Sequence, residues 1–233
     1  MATFQAASFL ADISSSAVSS ITWDHTVSAG TNLALGIGVG FEDIDAVVDP
    51  SPAPVFNGDS MTQVPSSRAS SGSFGATELW GMAAPDVATA AIVVEFAVSS
   101  SKAGGGSVSA TLVDQTTPFL TAGTGGATSG TTATATVSGI GSADLAFATL
   151  AVDSNVAVNV GGGADERWEV QESGAVTVAG STRAGSAGGV ETWTFTSRPW
   201  AISATAFKDD GSGGGATNWG PLLSLRNNRL VMA

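Results

Sequence analysis

Apolar and polar residues alternate along most of this chain with a period of two, the spacing of a β-strand whose successive side chains face opposite ways. Ile21–Val27 alternates in this manner, and within Leu33–Phe41 the residues Leu33, Leu35, Ile37, Val39 and Phe41 fall on one face. The other face of that segment holds only Ala and Gly, which predicts that another sheet or chain approaches it closely. Val55–Met61 contains Asn57-Gly58, the strongest short-range hairpin signal. Strands of the same kind are predicted at Thr77–Met82, Ala91–Val98, Ser107–Val113, Thr132–Val137, Asp144–Val152, Arg167–Gln171, Glu191–Thr196 and Trp200–Phe207. In the last, Trp200, Ile202, Ala204 and Ala206 share a face, and Phe207 falls out of phase, so a bulge or strand end is expected there. No window shows a helical period. About ten to twelve short strands in one open sheet would leave an apolar face wet, so two sheets must pack. The expected fold class is all-β: a two-sheet antiparallel β-sandwich of jelly-roll or concanavalin-like type.

Two stretches interrupt the pattern. Thr121–Gly130 is low in complexity and reads as a mobile surface loop. Lys208–Gly215 closes the last strand with the composition of a flexible linker. The domain reading is therefore a β-sandwich over 1–208, a Gly-rich linker over 209–217 and a C-terminal arm over 218–233. The arm is apolar, with Leu222, Leu223 and Leu225 beside Arg226 and Arg229. An apolar segment after a long glycine connection is expected to dock on a neighbouring subunit, by adding a strand or filling a groove. An ordinary terminal strand or a frayed end is the plainer reading.

Composition narrows the function. Apolar residues make up 43% of the chain and charged residues only 12%, with 30 glycines and a net charge of -12. The surface must therefore be covered mainly by Ser, Thr, Ala and Gly. Enough Val, Ile, Leu, Phe and Trp are present to bury a core, which excludes disorder driven by charge. A chain with 8 basic against 20 acidic residues is unsuited to neutralising phosphates, so no nucleic-acid partner is expected. Without cysteine there is neither a disulfide framework nor a thiolate nucleophile. Met1–Leu10 lacks the basic and continuous apolar regions of a secretory signal, and the longest apolar run is broken by three glycines. Neither an export address nor membrane insertion is expected.

The sequence offers little catalytic chemistry. His25 is the only histidine; alternation places it opposite Asp24 and beside neither Ser nor Cys. No Gly-x-Ser-x-Gly elbow supplies a nucleophile. Two carboxylate-rich groups, Glu42–Asp49 and Asp165–Glu172, invite comparison with glycosidases, whose paired acids stand about 5–10 Å apart. The second group, with Glu166 and Glu169, lacks the Glu-x-Asp-x-x-Glu order of concanavalin-like glucanases, because Trp168 stands at the Asp position. The first carries oxygen ligands at alternate positions that suit calcium, without EF-hand spacing; a solvated acidic turn is the commoner meaning. No other cofactor is expected. Gly36, Gly38 and Gly40 lie within a strand with no following helix, so they read as packing glycines rather than a phosphate loop. Among the tryptophans, Trp23, Trp80, Trp193 and Trp200 read as core. Trp168 and Trp219 have polar or glycine-rich neighbours and are the candidates for an exposed contact, a sugar-stacking platform or an interface anchor.

Several phrases in order carry a resemblance: Ile21–Val27 followed by Leu33–Val39, then Val55–Val64, Glu78–Pro85, Val113–Pro118, and Ser197–Ser203 before Phe207-Lys208. Over roughly 15–208 the chain resembles a β-sandwich domain common in tailed-bacteriophage structural proteins and in bacterial surface proteins. The match is one of strand phrases, not of catalytic residues. It implies a structural or attachment module of a virion. With no catalytic motif beside it, this reads as a non-enzymatic capsid decoration, head fibre or tail-associated subunit, assembled in the host cytoplasm, and the acidity argues for the particle exterior. The partners implied are copies of itself and other virion proteins. The alternative reading is a carbohydrate-binding adhesion module that contacts host surface glycans through Trp168 or Trp219; a glycan-degrading enzyme is a third.

Overall fold

In a computed structural model of the protein, residues 1–10, 13, 17–42, 49–72, 74–100, 102–171 and 176–212 are described. The chain opens with β1 (Thr3–Phe9), β2 (Val18–Thr26) and β3 (Ala34–Glu42). Four two-residue strands follow: β4 (Val55–Phe56), β5 (Asp59–Ser60), β6 (Thr62–Gln63) and β7 (Ala69–Ser70). Next come β8 (Gly75–Ala83), β9 (Thr89–Ser100) and β10 (Ala103–Thr111). The second half holds β11 (Gly123–Thr136), β12 (Leu145–Asp153), β13 (Asn159–Val160), β14 (Asp165–Gln171), β15 (Val176–Ala184) and β16 (Val190–Phe207). Asn57 and Gly58 join β4 to β5 with φ of 52° and 90°, the two positive values that a type I′ hairpin requires.

All the strand pairs are antiparallel, and the fold is an all-β sandwich. One central sheet runs β1-β10-β3-β8-β6, with β7 also on β8; the other runs β11-β16-β12-β15-β14, with β13 on β16. A smaller sheet, β2-β9-β4-β5, is separate. Three apolar clusters show how these stack. Leu79, Val108 and Ala110 of the first sheet meet Phe147, Trp168, Val178 and Phe207 of the second. The first sheet turns Leu35, Ile37, Val39 and Phe41 the other way, onto Trp23, Phe56, Ile92 and Val94 of the small sheet. The glycine face of β3 points to the second sheet, as the sequence pattern requires. A Cβ at Gly38 would stand 2.6 Å from Thr149 Cβ, and one at Gly40 2.9 Å from Val178 Cγ2. Close approach of two sheets is what these glycines permit.

The outer face of the second sheet is covered by its own longest strands. Ala148, Leu150, Val152, Ile202 and Ala204 pack with Ala133, Ala135, Trp193 and Phe195. Residues 123 and 136 of a straight strand would lie roughly 40 Å apart, yet a Cβ on Gly123 would collide with the Thr136 carbonyl, and one on Gly125 with that of Thr134. The β11–β16 ribbon therefore doubles back over its own sheet, bending where the pairing register shifts on either side of Gly130. Four layers result, with three apolar seams.

Two expectations need correction here. Thr121–Gly130 is not a surface loop: residues 123–130 belong to β11 and pair with β16. Its glycines are set by packing rather than mobility, since side chains at Gly123, Gly125 and Gly126 would strike backbone carbonyls. The strand end expected at Phe207 is found: it is the last residue of β16, buried against Phe147 and Phe119. Of the expected linker, residues 208–212 are tied to the sandwich. Lys208 donates through Nζ to Asp114 at 2.8 Å, Asp209 N to Asp144 Oδ1 at 2.8 Å, and Asp210 accepts from Asn32 at 2.6 Å. Residues 213–217 and the whole arm lie outside the described residues.

Candidate functional site

The cluster that best combines charge, aromatic surface and a concavity lies on β8, toward its β6 edge. Alternation sends Thr77 and Leu79 toward the second sheet, and Glu78 and Trp80 toward the small sheet. The small sheet does not cover them fully. Its lead-in, Asp49–Ser51, is held along β9, where Ser51 N donates to the Glu95 carbonyl at 2.8 Å and Ala97 N to that of Asp49 at 3.0 Å. Between this segment and β6–β8 lies a cavity of about 400 Å³, lined by Asp49, Ser51, Gln63, Arg68, Glu78 and Trp80.

Arg68 organises the site. Its Nη1 donates to Glu78 Oε1 at 2.5 Å and also to Asp49 Oδ1, while the guanidinium stands 5.5 Å from the centre of the Phe41 ring. Glu78 is 1% exposed, and its Oε2 accepts from Trp80 Nε1 at 3.1 Å, which fixes the indole. Burial pushes the Glu78 carboxyl up to about 7; the Arg68 bond and charge pull it down, and Asp49 pushes it further up. Two acids thus converge in a concavity, but on one nitrogen. The Arg68 guanidinium stands between the two carboxyl groups and bonds both through the same nitrogen. Trp80, expected in the core, is half-buried and lines the cavity. The signal for it was the Glu78-x-Trp80 spacing, which places both side chains on one strand face.

His25 corrects a second expectation. It is 1% exposed, and its Nδ1 lies 2.7 Å from Ser8 Oγ and 2.8 Å from Ser107 Oγ; Ser107 also accepts from Trp23 Nε1 at 3.0 Å. Sequence could not show these serines, which arrive from β1 and β10. Burial pushes the His25 imidazole down to about 4, so it is neutral at pH 7. Nε2 has no hydrogen-bond partner among the described residues, so no carboxylate orients the ring as a triad requires. The group is a polar fastening between the small sheet and the first sheet.

A third charged group lies under the doubled-back ribbon. Arg183 Nε stands 3.6 Å from Glu191 Oε1, both almost fully buried, and Ser181 donates to Glu191 Oε2 at 3.1 Å. Burial pushes the Glu191 carboxyl up against the pull of Arg183. The pair joins β15 to the returning end of β16.

The structure places the sequence candidates as follows. Trp168 is not an exposed platform: it is 2% exposed, in contact with Phe147 and seated where Gly106 and Gly180 leave room for its ring. The socket is made by glycines far away in the sequence, not by the polar and glycine-rich sequence neighbours that suggested exposure. Trp219, Leu222, Leu223, Leu225, Arg226 and Arg229 lie outside the described residues. So do residues 43–48 of the proposed calcium loop; among the described residues no three potential ligands come together around a metal position. Glu169 accepts from Val158 N at 3.3 Å and also from Gln171, while Glu166 is exposed across a bulge from Trp168. Among the described residues no helix is long and apolar enough to cross a membrane. No protein family, curated protein or solved structure matches the chain.

Proposed function

We propose that this chain is a non-enzymatic structural subunit of a bacteriophage particle that self-associates through its sandwich and its C-terminal arm. The observation that carries the reading is β11. Among the described residues it is an edge strand of fourteen residues with neither a charge nor a proline, although it is bulged around Gly130 and packed against Ser70 at Gly126. Soluble monomers blunt exposed edges with charges and prolines, because an unguarded edge pairs with another chain. Its outward side chains are small and neutral, among them Thr124, Thr128, Ser129, Thr131 and Thr132. Two copies, each carrying -12, can approach along such a strand without like charges meeting. The strand-phrase resemblance supplies the virion context, and the acidity favours the outside of a particle over contact with packaged nucleic acid.

Light scattering on the purified chain, with mass spectrometry of assembled particles, tests the reading. The expected result is a stable oligomer, weakened by Thr128→Lys with Thr132→Lys, and a fixed copy number per particle. A chain that is monomeric at all concentrations and missing from particles overturns it. The cavity at Trp80 favours a second reading, in which the module also binds surface carbohydrate.

A further inference from the structure

We propose that the cavity between Asp49–Ser51 and β6–β8 is a saccharide subsite that accepts one neutral hexose or N-acetylhexosamine unit of an oligosaccharide. The inference rests on the carbohydrate-binding reading and gives it a location. Trp80 is the stacking wall. An indole face offers apolar surface to the C–H face of a sugar ring, and this indole is already fixed by its bond to Glu78 Oε2 at 3.1 Å. Asp49, Ser51 and Gln63 are exposed around the same cavity and provide the acceptors and donors that hydroxyl groups require. Arg68 holds the Asp49 carboxylate in place, so the acceptor is oriented before a ligand arrives. The cavity volume of about 400 Å³ suits a small ligand.

Electrostatics selects the class. The positive charge of Arg68 is offset by the Asp49 carboxylate and by Glu78 in so far as it is ionised, within a chain of net charge -12, so phosphate, sulfate and sialic acid are disfavoured. A divalent cation is disfavoured too, because the guanidinium already stands between the carboxylates. A purely apolar ligand would strand the exposed polar rim. What remains is a neutral polyhydroxy compound with one apolar face.

The test uses the full chain with three soluble probes: cello-oligosaccharides, chito-oligosaccharides and galacto-oligosaccharides. Binding is read by calorimetry and by tryptophan emission, with reducing-end release followed in parallel. Trp80→Ala is expected to weaken binding about tenfold or more, and Trp80→Phe to retain part of it. Gln63→Ala, an exposed change that leaves the core untouched, is expected to weaken binding severalfold and guards against a Trp80 variant that fails to fold. Binding that survives both Trp80→Ala and Gln63→Ala overturns the subsite while leaving the carbohydrate reading in place. No binding of any probe by the wild-type chain overturns both. Release of reducing ends that Glu78→Gln abolishes overturns the assignment of a binding site and makes it catalytic.

Discussion

The seam between the two central sheets can be tested by exchanging a side chain across it. Gly38 has no room for a methyl group: its Cβ would strike Thr149 Oγ1 and stand 2.6 Å from Thr149 Cβ, well inside carbon–carbon contact. Both positions are fully buried in central strands, so neither can swing into solvent. Gly38→Ala must therefore push β3 and β12 apart or distort Thr149, an overpacking cost of about 3 kcal/mol. Thr149→Gly alone removes three buried heavy atoms and places glycine within a strand, at a cost of about 2 kcal/mol. The double variant puts a methyl back into the space the threonine vacated. Its destabilisation should fall short of the sum of the single costs by about 2 kcal/mol, a coupling typical of residues in direct contact. Urea unfolding of the four proteins, followed by tryptophan emission, measures it. Additive costs would mean that the two sheets do not meet at this pair, and the stacking described above would have to be redrawn.

The other predictions concern the buried charges. Glu78, raised from 4.5 to about 7, contributes stability that is complete below pH 4.5 and lost as pH rises through 7. His25, lowered from 6.5 to about 4, contributes stability that is present above pH 6.5 and lost as pH falls through 4. Relative to wild type, Glu78→Gln should gain about 3 kcal/mol in unfolding free energy between pH 4.5 and 7.5; a difference that stays constant with pH contradicts the assignment. Glu191→Ala leaves the buried Arg183 without its partner and should cost about 3 kcal/mol, whereas replacing both by Met should cost far less. Equal losses in the two variants would refute this. Ser107→Ala deprives Trp23 Nε1 of its acceptor and should cost about 1–3 kcal/mol, visible as a lowered melting temperature.

How much of this was legible in the sequence follows from the range of the interactions. The strand of Ala34–Glu42, its two unlike faces and the Asn57-Gly58 hairpin are local facts, carried by alternation and by the φ values glycine tolerates. The small third sheet and the doubled-back ribbon were not legible, because alternation tells which residues share a face but not what covers it. Thr121–Gly130 misled for a related reason: a run of Gly, Thr and Ser looks the same whether its glycines serve mobility or fit beneath carbonyls brought in by folding, as those of Thr134, Thr136 and Ser70 are here. Trp168 likewise has glycine neighbours in space that make its socket. The Arg68 site was half visible, through Glu78 and Trp80 on one face. Asp49 and Arg68 reach it only through tertiary packing.

β16 also sets how the molecule carries a load. Its final stretch, Trp200–Ala204, runs in the interior of the second sheet between β11 and β12, and residues 208–212 beyond it are fastened to Pro118, Leu112 and Asp144. Tension applied through the C-terminal segment therefore enters along a strand bonded on both flanks. Its ladder bonds, lying perpendicular to the pull, must break together in shear rather than unzip one after another. A molecule tethered by that end would yield abruptly and at high force, and would stay rigid until it did.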